Sequence, residues 1–278
     1  NKIKFIHKPR KHRFDFSIIK EIARLIDRES ISVIHCTLQI SLFFAWLARL
    51  KSKSKPKIVV AIHTTKNVSI KQEVFDRLLY QPLLRNSDAI IFVCNAQASF
   101  WQKKYSLPKD KVHVIYNGIN LEKFKSSSFI IPGKDLRKNL DISGNEFLIS
   151  CIAGFRREKG HFDLIRALDL ITIPVHLALA GAGPYELEIK AEIKARGLLN
   201  KVHFLGNIAD VRPLLAASDL TVLASTAVET FSIAMLESMA MGVPMVVTDV
   251  GGLKEAIIDG SCGYVVKPGA PVEFSEAI

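Results

Sequence analysis

Residues 146–171 carry the clearest signal of the fold: "EFLISCIAGFRREKGHFDLIRALDLI". They open with a short, nearly continuous apolar segment, which is typical of a strand buried on both faces of a parallel sheet. A charged turn follows, and residues 161–171 then show a helical pattern. Strand, loop and helix in this order are half of a βαβ unit, so the stretch predicts an α/β domain.

The same alternation runs through the rest of the chain. Helical patterns such as Phe16–Asp27 separate short apolar segments rich in β-branched residues. These segments predict ten strands, at residues 32–36, 57–63, 89–94, 111–118, 146–155, 174–181, 201–206, 219–225, 243–248 and 263–267.

Residues 119–145 interrupt this rhythm with a serine run, a Pro-Gly pair and several charges. We interpret them as a linker with one short helix. A chain of 278 residues is long enough for two domains of ordinary size. We therefore predict two α/β domains, residues 1–135 and 136–278, with a cleft between the carboxyl ends of their sheets, where ligands of such sheets bind.

Charge is spread unevenly over the chain. The net charge is +11, but residues 1–144 hold 27 Lys and Arg against 11 Asp and Glu, a charge of +16, which leaves −5 for residues 145–278. The basic half indicates an anionic partner such as a membrane surface or an acidic substrate, and ordinary solubility charge is the alternative. No aromatic-studded basic strand or recognition-helix pattern accompanies the lysines, so we expect no nucleic-acid partner.

The four cysteines, Cys36, Cys94, Cys151 and Cys262, lie far apart and show no metal-ligand spacing. We expect reduced core residues, no zinc site and a cytoplasmic protein. The longest apolar run of the first half, "ISLFFAWLARL", is too short to span a bilayer and predicts a buried or interfacial helix.

Three motifs of the second half follow predicted strands. In "AGFRREKG" (153–160), Arg156, Arg157 and Lys159 precede a helix, an arrangement that suits a diphosphate, although a solvated turn is the simpler reading. In "LAGAGP" (179–184), Gly181 allows either close approach of a ligand or a tight turn. In "HFLGNIADV" (203–211), backbone groups around Ile208 could face a flat base.

The fourth motif, "VETFSIAMLESMAMGVPMVVTDVGG" (228–252), contains two glutamates with different settings. Ser232 is a suitable N-cap for a helix over residues 233–241, and Gly242 suits its C′ position. Glu229 therefore lies in the loop before the helix and Glu237 inside it. Free N–H groups of residues 231–233 could bind an anion. Apolar neighbours indicate that Glu237 is partly buried and needs a partner, against the alternative of a solvated helix face.

Taken together, these segments resemble the retaining nucleotide-sugar glycosyltransferases of family 4 (glycosyl transferases group 1). The resemblance also covers the first half, through "SVIHC", "VVAIH", "RLLYQPLLRNSDAIIFVC" and "VHVIYNGINLEKF". The E-x7-E spacing with its Gly-x-Pro and Asp-x-Gly-Gly continuation is its most specific feature. The resemblance implies the GT-B fold, in which two Rossmann-like α/β domains face their parallel sheets across a cleft, with the acceptor on the N-terminal side and the donor on the C-terminal side.

The resemblance also implies a role for each glutamate. Glu229 would contact the transferred sugar and Glu237 the ribose hydroxyls. Lys159 would bind the diphosphate and offset the charge that develops on it, helped by backbone N–H groups at Phe231, Ser232 and Ile233.

Further roles follow from the same family pattern. His63 would line the acceptor side, and Ile208 would contact the base through its backbone. No metal ion is expected, in keeping with the lack of an Asp-x-Asp motif, and no cofactor beyond the nucleoside-diphosphate sugar itself. Transfer would retain the anomeric configuration without a covalent protein nucleophile.

The sequence departs from the family pattern in three places. Gly154 stands where an arginine is common, so Arg156 or Arg157 would have to take its place. Thr230 and Ser232 stand where glycine or proline is frequent. The family's opening strand with its glycine-rich loop and its last helices have no counterpart, which implies a fragment.

Three other functions stay open at this stage. They are a sugar-nucleotide epimerase of the same fold, a non-catalytic sugar-nucleotide-binding protein, which Gly154 favours, and a periplasmic-type binding protein. For a transferase, the basic half and the apolar residues 42–46 suggest a lipid-linked or cell-envelope saccharide as acceptor, reached by peripheral contact with an anionic membrane.

Overall fold

The structure, a computed structural model, describes residues 5–7, 16–37, 39–63, 73–74 and 76–278. The chain divides into two units. Unit 1 takes the chain up to Val93 together with Gln97–Ile115, and unit 2 takes Cys94–Ala96 and Tyr116–Ile278. Each unit is a parallel α/β structure, which confirms the fold class that the alternating apolar segments predict.

Unit 1 contains a four-stranded parallel sheet in the order β1-β2-β3-β4. Its strands are β1 (Val33–Cys36), β2 (Lys57–Ile62), β3 (Ala89–Phe92) and β4 (Val112–Val114). The helices around it are α1 (Ser17–Arg28), α2 (Gln39–Lys51), α3 (Gln81–Arg85) and α4 (Asn95–Tyr105), with a π-helical stretch at Asp76–Tyr80.

The helices of unit 1 bury one apolar face each. Ile19, Ala23 and Ile26 recur every three or four residues along α1 and are buried. The apolar run in α2 also contributes buried residues, namely Leu42 and Phe44. Part of the run therefore forms core, whereas Phe43 and Trp46 stay partly exposed.

Unit 2 contains a six-stranded parallel sheet in the order β10-β9-β8-β5-β6-β7. Its strands are β5 (Phe147–Ile152), β6 (Val175–Ala180), β7 (Val202–Gly206), β8 (Leu220–Leu223), β9 (Met245–Thr248) and β10 (Gly263–Val266). Its helices are α5 (Ile130–Asn139), α6 (His161–Leu170), α7 (Glu186–Ala195), α8 (Arg212–Ala217), α9 (Ile233–Ala240) and α10 (Pro271–Ala277).

The centre of this sheet is covered on both faces. Every residue of β8 and β9 is buried, and only the two end residues of β5 are partly exposed. Burial on both faces is the reason that these strands have continuous apolar sequences instead of alternating ones. All ten predicted strands are present, most of them one to three residues shorter than predicted.

The boundary between the units differs from the predicted one at residues 135/136. Residues 116–135 belong to unit 2 because they pack on it. Arg137 in α5 donates hydrogen bonds to the Ala217 carbonyl and to Asp219, both at 2.9 Å. Phe124 and Phe129 pack against the buried cluster of Leu215, Met241 and Val243. The predicted linker is thus part of the second unit's packing.

Two further features bear on the sequence-based expectations. All four cysteines are reduced, and three of them, Cys36, Cys94 and Cys151, are buried. Within the described ranges, no helix combines the length and apolar character needed to cross a bilayer.

Candidate functional site

Three loops of unit 2 follow strands that are neighbours in its sheet. The first loop (153–160) follows β5, the second loop (224–232) follows β8, and the third loop (249–252) follows β9. Because β5, β8 and β9 are adjacent and parallel, the three loops leave the sheet at the same edge. Two of the four motifs of the second half, at residues 153–160 and 228–252, are thereby brought together.

The first and second loops pack backbone against backbone. The amide of Thr226 donates to the Glu158 carbonyl at 2.8 Å. Gly160 has a φ of +69° and lies so close to the second loop that a Cβ there would be 1.8 Å from the Ala224 carbonyl oxygen. Glycine is required at this position by both the backbone conformation and the contact.

The third loop holds the second in the same way. The amide of Gly252 donates to the Thr230 carbonyl at 2.8 Å. Gly251, with a φ of +60°, would place a Cβ 1.9 Å from the carbonyl oxygen of Glu229. Gly251 thus packs against the backbone of Glu229 and Gly252 hydrogen-bonds that of Thr230, contacts that the sequence pattern alone does not reveal.

Lys159 and Glu229 form an ion pair at this edge. The Lys159 Nζ lies 2.7 Å from Oε2 of Glu229, and the two side chains are only 15% and 9% exposed. The hydroxyl of Ser225 donates to the same carboxylate oxygen at 2.9 Å. Because this ion pair is largely removed from water, breaking it would leave each charge poorly solvated and without a partner, so the contact is strongly favoured.

The N-terminus of α9 adds partial positive charge at the end of the second loop. The Ser232 hydroxyl accepts a hydrogen bond from the amide of Met235, so Ser232 is the N-cap that the sequence predicts. The Phe231 side chain is buried and packs against Tyr116 in a tilted arrangement, with ring centroids 4.8 Å apart. Phe231 and Ile233 can thus offer their backbone N–H groups, whereas the Phe231 ring serves packing.

Glu237 lies one turn further into α9 and is half-buried. Burial raises the pKa of its carboxyl, and the nearby charge of Asp210 raises it further. Asp210 is itself hydrogen-bonded to the guanidinium of Arg212, which lowers the pKa of Asp210. Among the described residues no group hydrogen-bonds the Glu237 carboxylate, so this carboxylate is available to a ligand that supplies hydroxyl groups.

A pocket of about 280 Å³ opens where β5, β6 and β7 end. Gly154, Gly181 and Ile208, each singled out in the sequence, share this pocket. Its remaining wall is formed by Ile152, Ala153, Ala180, Asn207 and Val211. A shallow pocket with aliphatic side chains and backbone polar groups in its lining suits a flat heterocycle.

Two larger concavities, about 550 and 500 Å³, lie in unit 1. The first is formed by residues that precede β1 and β2, and the second lies beside α3. Neither is lined by a loop at the carboxyl end of a strand of unit 2, so the smaller pocket remains the better candidate for a ligand of this sheet.

The arginines of the first loop do not join the ion pair. Arg156 bonds Glu158, with Nε 3.2 Å from Oε1, and remains more than half exposed. Arg157 is exposed as well. At Gly154 a Cβ would meet only the Ala182 carbonyl oxygen within ordinary contact, at 3.6 Å, and the tip of Arg156. A side chain is therefore sterically acceptable at Gly154, and its absence leaves open space.

His63 lies apart from these residues along the chain. It follows β2 in unit 1 and is exposed. The donor-side residues predicted from the sequence all belong to unit 2, and His63 alone of the predicted site residues belongs to unit 1.

Three polar residues of the site were not predicted from the sequence. Ser225 contacts Glu229, Thr248 contacts Ser225, and Asp210 acts on Glu237. The available signal was a polar residue at the end of an apolar strand, as in "DLTVLAS" and "VPMVVT". That signal cannot distinguish a buried contact from an ordinary strand end.

The described residues contain no cluster of three His, Cys, Asp or Glu side chains suited to a metal ion. The positive charge next to the second loop comes from Lys159 and the N-terminus of α9.

Comparison with known proteins identifies the family. The sequence model of the glycosyl transferases group 1 family matches residues 133–278, more than half of the chain. The chain belongs to this family. A second model, that of Glycosyltransferase Family 4, matches residues 2–123. Both halves of the chain are thus accounted for by the glycosyltransferase family that the sequence motifs indicate.

Two relatives show the range of this family. N-acetyl-alpha-D-glucosaminyl L-malate synthase of Bacillus anthracis is 29% identical over 259 residues, which cover 92% of this chain and 66% of the relative. The lipopolysaccharide core biosynthesis mannosyltransferase LpsB of Rhizobium meliloti is 28% identical and covers 64% and 50%. The chain therefore spans less than two thirds of the length of these two relatives.

A solved structure supports the fold. Anabaena HepE in complex with UDP resembles this structure with a TM-score of 0.83 and 25% identity, over 94% of this chain and 71% of that one. The glycosyltransferase family and the two parallel-sheet domains predicted from the sequence are thereby confirmed.

Proposed function

We propose that the protein transfers a sugar, with retention of configuration, from a nucleoside-diphosphate sugar to an acceptor hydroxyl. The observation that carries this proposal is the buried Lys159–Glu229 pair beside the N-terminus of α9. It combines a cation and helix N–H groups for a diphosphate with a carboxylate for the sugar. The similarity to HepE, which was solved with UDP, makes a uridine nucleotide the first donor to test.

We assign the parts of the donor to the parts of the site as follows. The base occupies the pocket near Ile208, and the ribose hydroxyls donate to the half-buried carboxylate of Glu237. The diphosphate meets Lys159 and the N–H groups of residues 231–233, and the sugar lies against Glu229. The raised pKa of Glu237 supports this arrangement, because two hydroxyl donors would offset the cost of keeping its charge partly buried.

His63 and the first-loop arginines have supporting roles in this proposal. His63 would contact the acceptor from unit 1. Arg156 or Arg157 would turn toward the diphosphate and replace the cation that Gly154 lacks. Both are exposed long side chains without tight packing, so reorientation costs little.

In the reaction the bond between the anomeric carbon and the diphosphate oxygen breaks, and its electron pair leaves with the diphosphate. The acceptor oxygen forms the new bond on the same face, and the proton of the acceptor hydroxyl passes to the departing diphosphate. Lys159 has to exchange part of its contact with Glu229 for the diphosphate, where it offsets the growing negative charge. We propose that Lys159 and the helix N-terminus suffice for this, so that neither a metal ion nor another cofactor is needed.

We further propose a lipid-linked or cell-envelope saccharide as the acceptor, reached from the cytoplasmic side of the membrane. The relative named for lipopolysaccharide core biosynthesis supports this class of acceptor. The charge of +16 on residues 1–144 supports contact with an anionic membrane surface. Lys20, Arg24 and Arg28 contribute an exposed basic face on α1. Leu42 and Phe44 of α2 are buried and do not contribute to this face.

The test is sugar transfer by the full chain. A panel of nucleotide sugars is first screened by thermal shift to select the donor, and transfer is then measured for Lys159→Ala and Glu229→Ala. Each variant should lose at least about 10²-fold in turnover, or about 2.7 kcal/mol of transition-state stabilisation. Lys194→Ala and Glu188→Ala, two exposed residues of α7, are the matched controls and should behave as wild type.

Several outcomes would contradict the proposal. Near-wild-type turnover in either site variant would remove the assigned roles. Donor binding without release of nucleoside diphosphate, with or without acceptor, would indicate a binding protein, and conversion of the sugar without any acceptor would indicate an epimerase. Loss of activity in EDTA that Mg²⁺ or Mn²⁺ restores would overturn metal independence.

A further inference from the structure

The two oxygens of the Glu229 carboxylate have different surroundings. Oε2 accepts both the Lys159 ammonium at 2.7 Å and the Ser225 hydroxyl at 2.9 Å. Within the described residues, Oε1 accepts no hydrogen bond. A carboxylate on a single C–C bond rotates easily, so two donors on one oxygen select one orientation and leave the other oxygen for a ligand.

Ser225 is held in place by a second hydroxyl. The Thr248 Oγ1 donates to the Ser225 carbonyl oxygen at 2.5 Å. Ser225 and Thr248 are 1% and 2% exposed. Thr248 is the last residue of β9, whereas Ser225 lies two residues beyond β8, so the contact joins neighbouring strand ends. In this dry environment a hydroxyl that lost its partner would be costly, which keeps both contacts formed.

Lys159 and Ser225, which both donate hydrogen bonds to Oε2, should respond differently when the nucleotide sugar binds. Lys159 is the cation expected to move toward the diphosphate, and its bond to Glu229 weakens as it does so. Ser225 is not expected to move toward the diphosphate. Once the diphosphate is bound, the Ser225 hydroxyl is the remaining restraint on the carboxylate.

We propose that Ser225 and Thr248 are positioning residues, which hold Glu229 so that its Oε1 faces the transferred sugar. This inference rests on the proposed function of the same site. Ser225 acts through Glu229 and Thr248 acts through Ser225, so neither touches the reacting atoms. The loss of turnover caused by substituting either residue should therefore disappear when Glu229 is removed. A loss caused by a general structural change would persist in that background.

The experiment measures transfer by the full chain for Ser225→Ala, Thr248→Val, Thr248→Ser, Glu229→Ala and the double variant Ser225→Ala/Glu229→Ala. Ser225→Ala should lower kcat about 10- to 100-fold and change the donor KM less than about threefold, since the nucleotide contacts stay intact. Thr248→Val should lower kcat about 3- to 30-fold, and Thr248→Ser, which keeps the hydroxyl, should restore it. The double variant should be no slower than Glu229→Ala.

Clear results would overturn the inference. A wild-type kcat in Ser225→Ala would contradict it. So would a double variant whose loss of kcat is the product of the losses in Ser225→Ala and Glu229→Ala. If wild type binds nucleotide sugars but transfers nothing, the proposed function fails, and positioning is then measured by calorimetry with UDP and UDP-glucose. Ser225→Ala should leave the Kd for UDP unchanged and reduce the extra affinity of UDP-glucose over UDP. If this difference in affinity stays at its wild-type value, the positioning role is rejected independently of activity.

Discussion

Glu237 carries a charge that the unliganded protein holds at a cost. Because burial and the charge of Asp210 raise the pKa of this carboxyl, its ionised form is less stable in the folded protein than in the unfolded chain. The cost is present at neutral pH and disappears as the pH falls through the folded pKa, where the carboxyl takes up a proton. A carboxylate in such a setting gains most from a ligand that donates hydrogen bonds.

We predict opposite effects of Glu237→Gln on stability and binding. The unliganded variant should be more stable than wild type at pH 7, and the difference should shrink as the pH is lowered. Its Kd for UDP should rise about 10- to 100-fold, because hydrogen bonds to a charged acceptor contribute about 1.5–3 kcal/mol. Urea denaturation and calorimetry measure the two effects. Glu188→Gln is the exposed control, and an unchanged Kd in Glu237→Gln would reject the ribose assignment.

His161 is the second titratable group with an unusual environment. It is the first residue of α6, is 2% exposed and packs edge-on against Phe155, with ring centroids 5.0 Å apart. Neither ring nitrogen has a hydrogen-bond partner in the described part of the chain. Burial, and then the charge of Lys159, lower its pKa to about 4. The imidazole is therefore neutral at physiological pH.

This predicts a specific sensitivity to acid. In the unfolded chain the imidazole takes up a proton near pH 6.5, whereas in the folded protein it does so only near its lowered pKa of about 4. The folded state thus loses roughly 3 kcal/mol between pH 7 and pH 4 through this group. In urea denaturation at pH 7.5 and 4.5, His161→Leu should lose most of this pH dependence. The exposed His113→Leu should keep it, and equal pH dependence in both variants would contradict the prediction.

At the level of secondary-structure elements, the loops of unit 2 are held by contacts between their backbones. Gly251 and Gly242 provide a matched pair, since both have positive φ, +60° and +74°. A Cβ at Gly251 would collide with the Glu229 carbonyl at 1.9 Å, whereas a Cβ at Gly242, after α9, would meet nothing within 4 Å.

The two alanine variants should differ accordingly. Gly242→Ala should cost only the backbone strain, about 1–2 kcal/mol, and retain transfer activity. Gly251→Ala should cost more than this in urea denaturation and should also displace Glu229, which lowers kcat at least tenfold. Equal losses of stability and kcat in both variants would mean that the third loop shifts to accommodate the new Cβ without displacing the second loop.

The charge asymmetry is a property of the whole molecule. With +16 on residues 1–144 and −5 on the remainder, the two ends of the chain should respond differently to an anionic surface. In co-sedimentation the full chain should bind vesicles of phosphatidylcholine with 30% phosphatidylglycerol, bind pure phosphatidylcholine weakly, and dissociate as salt is raised from about 50 to 300 mM.

Charge reversal locates the contact. Lys20→Glu/Arg24→Glu on the exposed face of α1 should weaken vesicle binding at least fivefold. Lys194→Glu/Lys267→Glu, two exposed lysines of unit 2, change the net charge equally and should have little effect. Binding that is indifferent to salt and to anionic lipid would reject the membrane proposal, and equal losses in both variants would remove α1 as its location.

The sequence by itself determined the order of strands and helices, the N-cap at Ser232 and the different settings of Glu229 and Glu237. These are local properties, since burial of a strand on both faces or capping of a helix acts on residues within a few positions. The family resemblance then predicted that Lys159 and Glu229 belong to one site, and the structure brings them into contact although 70 positions separate them in the chain.

The tertiary structure alone decided which side chains touch. The hydroxyl contacts from Thr248 to Ser225 and from Ser225 to Glu229, the influence of Asp210 on Glu237, and the packing of residues 116–135 on unit 2 all depend on it. The physical reason is that a parallel sheet brings the carboxyl ends of β5, β8 and β9 to one edge, and no local pattern encodes which residues then meet.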